Sequence, residues 1–368
     1  MNEAADPDLP AIRLVCPRCR VRGQEDARAT PLQRQGNVLV CTNRACLARY
    51  PASPFPMVLR DASAISGPAT LTPWHRLAPD AAVAWLEAMP PDGAPSIAAR
   101  RFATYFWAHF RDLLPAELTP SFVTGPPLSV TLASMVAGPW QSALVMGSGA
   151  GRLPLELSAA GARLVVSLDI DPLFVSWAGD LAGGGTLTCP LPEGAVRWTH
   201  SSFDVPDRLL EAARRVEPIC ADALDPPMPH RAFDLVVLAN LVDNVADPLT
   251  LLAEAQALLE PGGTLLIATP FAWQRNVTPP AARLEARSWM DETGAARSLD
   301  GPEAMVELLT GKLRGPHGWH MELAQSTTLP WHLRYHARQF NTFVCNVFVF
   351  RNTMSRKAAR GRDASCAE

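Results

Sequence analysis

The stretch LVMGSGAGR, Leu144 to Arg152, ends an apolar run in a turn whose glycines, Gly147, Gly149 and Gly151, are spaced G-x-G-x-G. Such a turn lets backbone N–H groups approach a nucleotide-like ligand closely. The dinucleotide fingerprint needs its third glycine one residue later, where Arg152 stands instead. Glycine turns also serve purely structural ends, so other residues must decide the ligand. Asp169 closes the run ARLVVSLDID, twenty residues after Gly149, where a carboxylate can accept both ribose hydroxyl protons. Asp222, in ICADALD, closes a further run, where a side chain can reach the exocyclic amine of adenine. A second group is made of thiols. Cys16 and Cys19 form C-x2-C, and Cys41 and Cys46 form C-x4-C, with 21 residues between the pairs. Two knuckles joined by a hairpin bring four thiolates round one tetrahedral zinc ion, a closed and structural site. Four free cysteines in a small polar region are the alternative.

The elements that must position these groups follow from pattern. SALVMG, ARLVVSLDID, EPICADAL, FDLVVLANL and GGTLLIATP read as five strands, with helices GRLPLELSAAG and ADPLTLLAEAQALLEPGG among them. The second helix is expected to stop at Pro261-Gly262. This rhythm predicts an α/β fold, a doubly wound Rossmann-like sheet with ligand at the carboxyl ends of its strands. A long insertion at 180–210 is expected to form a flap over the site. The segment 273–354 ends in an expected antiparallel strand pair completing the sheet. Residues 11–60 read as the ribbon and 61–130 as a proline- and alanine-rich linker with helices. In SIAARRFATYFWAHFRDLL, Ile97, Phe102, Phe106 and Phe110 recur at near-helical spacing, with Ser96 as N-cap. That helix is either a lid or a packed aromatic helix. The polar tail 355–368 reads as disordered.

Composition narrows the class. The chain has 368 residues, 48% of them hydrophobic, and a formal charge of -3. With a pI near 6.3 there is no basic field of the kind nucleic-acid binding usually needs. The amino terminus is acidic where a secretory signal is basic, and no run reaches membrane-spanning length. A cytoplasmic protein with eight unpaired thiols is expected.

Together, G-x-G-x-G, Asp169, Asp222, FDLVVLAN and LLEPGGTLLIATP resemble the class I S-adenosylmethionine-dependent methyltransferases. The resemblance implies S-adenosylmethionine as cofactor. More narrowly, ANLVDN with its following DP, ATPFAW, and LPWHLRYHARQFNTFVCNVFVFRN are similar to the carboxy-terminal methyltransferase domain of ovothiol synthase and to stand-alone 4-mercaptohistidine methyltransferases. This likeness covers about 97–353 within a methyltransferase domain at 131–354. It implies a small-molecule acceptor methylated on a ring nitrogen of a thiolated histidine. Three departures stand out: the iron-dependent sulfoxide synthase region is not in this sequence, Phe271 replaces a usual tyrosine, and the ribbon is extra. The ribbon, with ARYPASPFPMVLRD, resembles small zinc-ribbon activators of RNA and translation-factor methyltransferases. An RNA or protein substrate docked by the ribbon is therefore the alternative function.

By the family's arrangement, the acceptor approaches over strands four and five. Asn240 and Asp243 then either hydrogen-bond it or cap a helix beneath the cofactor, and Asn240 also borders the cofactor. Thr269, Phe271 and Trp273 are expected to wall the pocket or, for Trp273, to pack on the carboxy-terminal extension. Arg338, beside Tyr335 and His336, either grips an amino-acid carboxylate in a bidentate fork or lies on the surface. His320 and His332 read as structural.

Overall fold

The five apolar runs form strands for the expected reason: the central ones, at 143–146, 165–169 and 235–238, are buried on both faces, as parallel strands covered by helices must be. The structure, a computed structural model, describes residues 12–20, 29–60, 73–315 and 317–354. The amino-terminal expectation, residues 61–72 of the linker, and the 355–368 tail with Cys366 lie outside the described residues.

The amino-terminal region is a three-stranded antiparallel sheet, β1 (Leu32–Gln35), β2 (Val38–Cys41) and β3 (Arg49–Pro51), followed by β4 (Met57–Val58). Helices α1 (Pro79–Ala88), α2 (Ala94–Phe110) and α3 (Leu128–Met135) lead into the main sheet. There β5 (Ala143–Met146), α4 (Arg152–Ala159), β6 (Val165–Asp169) and α5 (Pro172–Gly183) follow in turn. A hairpin, β7 (Thr186–Pro192) and β8 (Trp198–Asp204), precedes α6 (Asp207–Ala213) and β9 (Val216–Ala221). Next come β10 (Phe233–Ala239), α7 (Pro248–Leu258) and β11 (Leu259–Thr269). A small lobe holds β12 (Trp289–Met290), β13 (Ala296–Arg297) and α8 (Gly301–Leu309). Strands β14 (Met321–His336) and β15 (Gln339–Asn352) end the described chain.

The eight-stranded sheet has the order β14-β15-β11-β10-β5-β6-β9-β4. Strands β4 to β11 run parallel, and β15 closes antiparallel on β11. The order reverses between β5 and β10, where a doubly wound sheet opens its ligand crevice. The eighth strand is a surprise: β4, the exit strand of the ribbon region, pairs with β9 through Met57–Cys220 and Val58–Ala221. The ribbon region therefore extends the central sheet.

Four expectations are corrected. Helix α2 starts at Ala94 with Gly93 as N-cap, because Pro95 suits the first turn; Ser96 is buried inside it. Phe102, Phe106 and Phe110 form the buried stripe, but Ile97, five residues before Phe102, faces solvent at 56% exposure. Helix α7 stops at Leu258, and Pro261-Gly262 lies within β11. Gly262 there has φ +86, and the β10–β11 register shifts beside it, so the pair makes a bulge and not a helix stop. Finally, the 180–210 insertion is the β7–β8 hairpin, which packs on α1 and α2 and lines none of the cleft described below. Among the described residues, no helix is long and apolar enough to cross a membrane.

Candidate functional site

At the carboxyl ends of β5, β6, β9 and β10 lies a cleft of about 540 Å³, within the usual size range for small-ligand sites. The glycine turn forms its floor. Gly147, Gly149 and Gly151 have φ of +71, +53 and +83, a region side chains disfavour. Gly147 and Gly149 line the cleft, whereas Gly151 caps α4, and a Cβ there would meet Ala178 of α5 at 3.4 Å. Asp169 ends β6 beside the turn. Its Oδ2 accepts from Gly149 N–H at 2.8 Å and its Oδ1 from Asp171 N–H at 2.9 Å. Each oxygen keeps a lone pair for a hydroxyl donor. Burial pushes the carboxyl up to about 6, while the two N–H donors pull the other way.

Asp222 also lines the cleft, with its turn held by Leu224 N–H donating to Oδ1 at 2.8 Å. Asn240, just past β10, lines the cleft in the left-handed region at φ +53, which asparagine tolerates. Its carbonyl accepts from Asn244 Nδ2 at 2.9 Å, and its Oδ1 from the Cys345 thiol at 3.2 Å. The structure thus gathers Gly147, Gly149, Asp169, Asp222 and Asn240 into one cavity.

It does not gather the rest. Asp243 is 2% exposed and lies behind the wall. Its carboxylate accepts from Ala272 N–H at 2.8 Å and Asn244 Nδ2 at 3.2 Å, holding the turn after β11. That turn carries Phe271 and Trp273 at φ +51 and +29, which swings their rings out of the cleft. Phe271 packs on Gly301, Trp273 joins the core under the small lobe, and Thr269 is buried, accepting from Phe271 N–H. Gln274, Asn276 and Val277 take their place at the rim. Arg338 sits exposed at the β14–β15 turn with its guanidinium toward Gly194 of the β7–β8 turn, outside the cleft. The terminal strands are long enough to carry their tip past the site. His332 hydrogen-bonds Thr342 at 2.9 Å and serves the hairpin.

One wall was not read from sequence. Arg101, Tyr105 and His109, spaced i, i+4, i+8, present a single face of α2 to the cleft. Arg101 pairs with Asp171, the N-cap of α5, across the opening. Tyr105 stands between Phe174 and Trp331, ring centroids 5.7 and 6.0 Å away, and burial pushes its phenol up to about 12. His109 lies over Gly149; burial and the nearby Arg152 guanidinium pull it down to about 4, so it is neutral at physiological pH. Arg152 explains why α2 sits there. Fully buried, it forks onto Asp112 at 3.0 and 3.1 Å and donates to Glu156 at 2.6 Å. The residue that breaks the dinucleotide pattern is thus the bolt between α2 and the glycine-turn helix.

In the ribbon region the Sγ atoms of Cys16, Cys19, Cys41 and Cys46 lie within 4.8 Å of one another. Cys16–Cys46 is 3.9 Å and Cys19–Cys41 is 3.6 Å. Four thiolates at about 2.3 Å round a tetrahedral zinc ion would stand roughly 3.8 Å apart, so the donor set and spacing fit that ion.

Residues 144–267 match the family described as "Methyltransferase domain". No curated protein matches the sequence significantly. Solved structures with which the chain aligns include N-methyltransferase NodS of Bradyrhizobium japonicum, in complex with S-adenosylhomocysteine. It is 15% identical, covering 67% of this chain and 100% of that one, with a TM-score of 0.34. Another is the 1,6-didemethyltoxoflavin-N1-methyltransferase of Burkholderia thailandensis, with bound substrate and S-adenosylhomocysteine. It is 17% identical, covering 73% of this chain and 92% of that one, with a TM-score of 0.36. A SAM-dependent methyltransferase of Methanosarcina mazei is 17% identical, covering 58% and 93%, with a TM-score of 0.36. Residues 144–267 thus carry a methyltransferase domain on a Rossmann-like sheet.

Proposed function

We propose that the acceptor is a small molecule, an imidazole nitrogen of a thiolated histidine or a related amino acid. The observation that carries this reading is the lining of the cleft beyond the cofactor line. It combines two aromatic rings, Tyr105 and Trp331, with four carboxamides, Asn240, Asn244, Gln274 and Asn276. Among the described residues the lining has no lysine, its carboxylates are Asp169, Asp171 and Asp222, and its histidine, His109, is neutral. Rings and amides suit a flat polar heterocycle, and a neutral imidazole brings its own lone pair.

In this reading Asp169 takes the ribose, Asp222 the adenine amine, and the glycine turn the methionine portion of the cofactor. The ring nitrogen attacks the methyl carbon in line, a C–N bond forms, and the C–S bond breaks. The electron pair returns to sulfur, leaving neutral S-adenosylhomocysteine and a methylated imidazolium that loses its other N–H proton to water. No general base is needed, and the protein contributes position. Asn240 orients the acceptor through its amide. Arg101, at the rim and paired with Asp171, turns to the acceptor's carboxylate in this reading, in place of the exposed Arg338. The four cysteines hold zinc, which there supplies a covalent-strength crosslink and no substrate chemistry.

The test is methyl transfer from S-adenosylmethionine to 4-mercaptohistidine, followed by mass spectrometry, with histidine and bulk tRNA in parallel. Product from mercaptohistidine alone is expected. Methylated RNA without small-molecule product overturns the reading in favour of a macromolecular substrate.

A further inference from the structure

The ribbon region touches the main domain directly behind the cofactor end of the cleft, and it does so in two ways. The first is polar. Arg60 donates from Nε to Asp225 Oδ2 at 2.6 Å and from Nη2 to the Arg20 carbonyl at 3.1 Å. Arg20, one residue past Cys19, donates to the Pro226 carbonyl at 2.7 Å and to Glu254 at 2.5 Å. Val15 N–H, on the other side of the first knuckle, donates to the Pro227 carbonyl at 2.9 Å. The gripped segment, Asp225 to Pro227, continues directly from Asp222, Ala223 and Leu224, which line the cleft. Asp225 N–H in turn donates to the Asp222 carbonyl at 3.0 Å. The second contact is apolar. Phe55, Met57 and Leu59, on either side of β4 and within it, pack with Ile170, Val175 and Cys220, and Ile170 lines the cleft.

One loop thus has the cofactor cleft on its front and the cysteine knuckle on its back. The knuckle's own geometry sets Arg20: Cys19 N–H and Arg20 N–H both donate to the Cys16 carbonyl at 3.1 Å. An ion that ties Cys16 and Cys19 to Cys41 and Cys46 holds that turn closed and keeps the Arg20 carbonyl under Arg60. Without it, the turn is free to open, and the arginine pair loses its anchor.

We propose that Arg20 and Arg60 are positioning residues of the cofactor site, linking metal occupancy of the four-cysteine cluster to affinity for S-adenosylmethionine. The linkage is reciprocal: cofactor that orders the 222–227 loop also tightens metal retention. The inference rests on the zinc reading of the cluster.

The experiment is calorimetric titration of S-adenosylhomocysteine into the full chain, with zinc content measured alongside. Chelated protein, Arg60→Ala and Arg60→Lys are compared with the zinc-loaded wild type. Chelation and Arg60→Ala should each weaken binding about five- to tenfold, the lower range of site-to-site coupling. Combined, they should do little more than either alone, because they break one path. Arg60→Lys should recover part of the loss, since a point charge still meets Asp225 but the fork to the Arg20 carbonyl is gone. The acceptor's KM at saturating cofactor should stay unchanged, and bound S-adenosylhomocysteine should slow zinc release to a chelator. Arg60 is 41% exposed, so its variants are expected to fold, and circular dichroism checks this. Binding within twofold of wild type in both chelated protein and Arg60→Ala overturns the proposal. A chain that neither holds nor takes up zinc overturns the metal reading itself, and the Arg60 variants then judge the arginine contact alone.

Discussion

The cleft is braced at both ends by arginines that tie it to segments outside the alternating sheet, and the two braces are built differently. At the glycine-turn end, Arg152 is fully buried and satisfied by Asp112, Glu156 and a carbonyl, with Arg208 balancing the second face of Glu156. At the Asp222 end, Arg60 is partly exposed though its acid, Asp225, is buried, and Arg20, whose carbonyl Arg60 meets, takes its position from a cysteine knuckle. A buried guanidinium with two carboxylates cannot let go without leaving charges stranded in a low-dielectric interior. A half-exposed one can itself turn to water, although here it would leave the buried Asp225 with Arg20 at 3.9 Å. The first brace fixes α2 and with it the Arg101–Tyr105–His109 wall; the second is the adjustable one.

The sharpest way to test that contrast is Arg152→Met. It takes one of two arginines from the buried Glu156 and leaves the partly exposed Asp112 to solvent, so the fold should lose about 2–3 kcal/mol, read as a lowered urea midpoint. Arg60→Ala leaves the buried Asp225 with Arg20 still beside it and should lower the same midpoint by less; equal losses would erase the distinction. Next in size is Asp169→Asn, which replaces a charged acceptor by an amide between two N–H donors. Cofactor affinity should fall by about 2 kcal/mol, roughly thirtyfold, with acceptor binding at saturating cofactor unaffected. An unchanged affinity would remove Asp169 from the ribose site.

The same carboxylate sets a pH dependence at this end of the cleft. Its pKa, near 6 when buried and empty-handed, lies above the usual 3.8. Affinity should therefore be flat above about pH 7 and fall below pH 6, to about tenfold weaker at pH 5, as protonation removes the acceptor. Stability of the ligand-free protein runs the opposite way. Between about pH 4 and 6 the folded state keeps a proton the unfolded chain has lost, so raising pH through that window erodes this contribution. Parallel binding and unfolding titrations check both signs; affinity that rises toward pH 5 would break the assignment. The smallest effect is expected for Arg338→Ala. Exposed at the hairpin turn, it should leave both substrates' KM values within twofold, and a large rise in acceptor KM would return it to the site.

That five of the expected site residues share one cleft could be read from residue order. Gly147, Gly149, Asp169, Asp222 and Asn240 each follow an apolar run, and parallel strands must deliver their carboxyl ends to one edge of the sheet. Cys16, Cys19, Cys41 and Cys46 were legible for a similar reason, since short knuckles leave the thiols little choice of partner. The α2 wall carried a signal as well, Arg101, Tyr105 and His109 at i, i+4, i+8, but the phenylalanine stripe on the other face of the helix drew the reading. Asp243, Phe271 and Trp273 misled because a positive-φ turn reverses which side faces the cleft, and such a turn leaves no mark in residue type here.

By itself, then, the amino-acid sequence determined the strand pattern, the glycine turn, the carboxylates at strand ends and the paired cysteines. These are local: period, spacing and turn chemistry act over a few residues. Tertiary structure alone decided that β4 joins the sheet beside β9, that Arg152 and Arg60 find acids 40 and 165 residues away, and that the terminal hairpin carries Arg338 past the cleft. Those outcomes depend on how preformed elements dock, where burial of whole faces outweighs any single residue's preference.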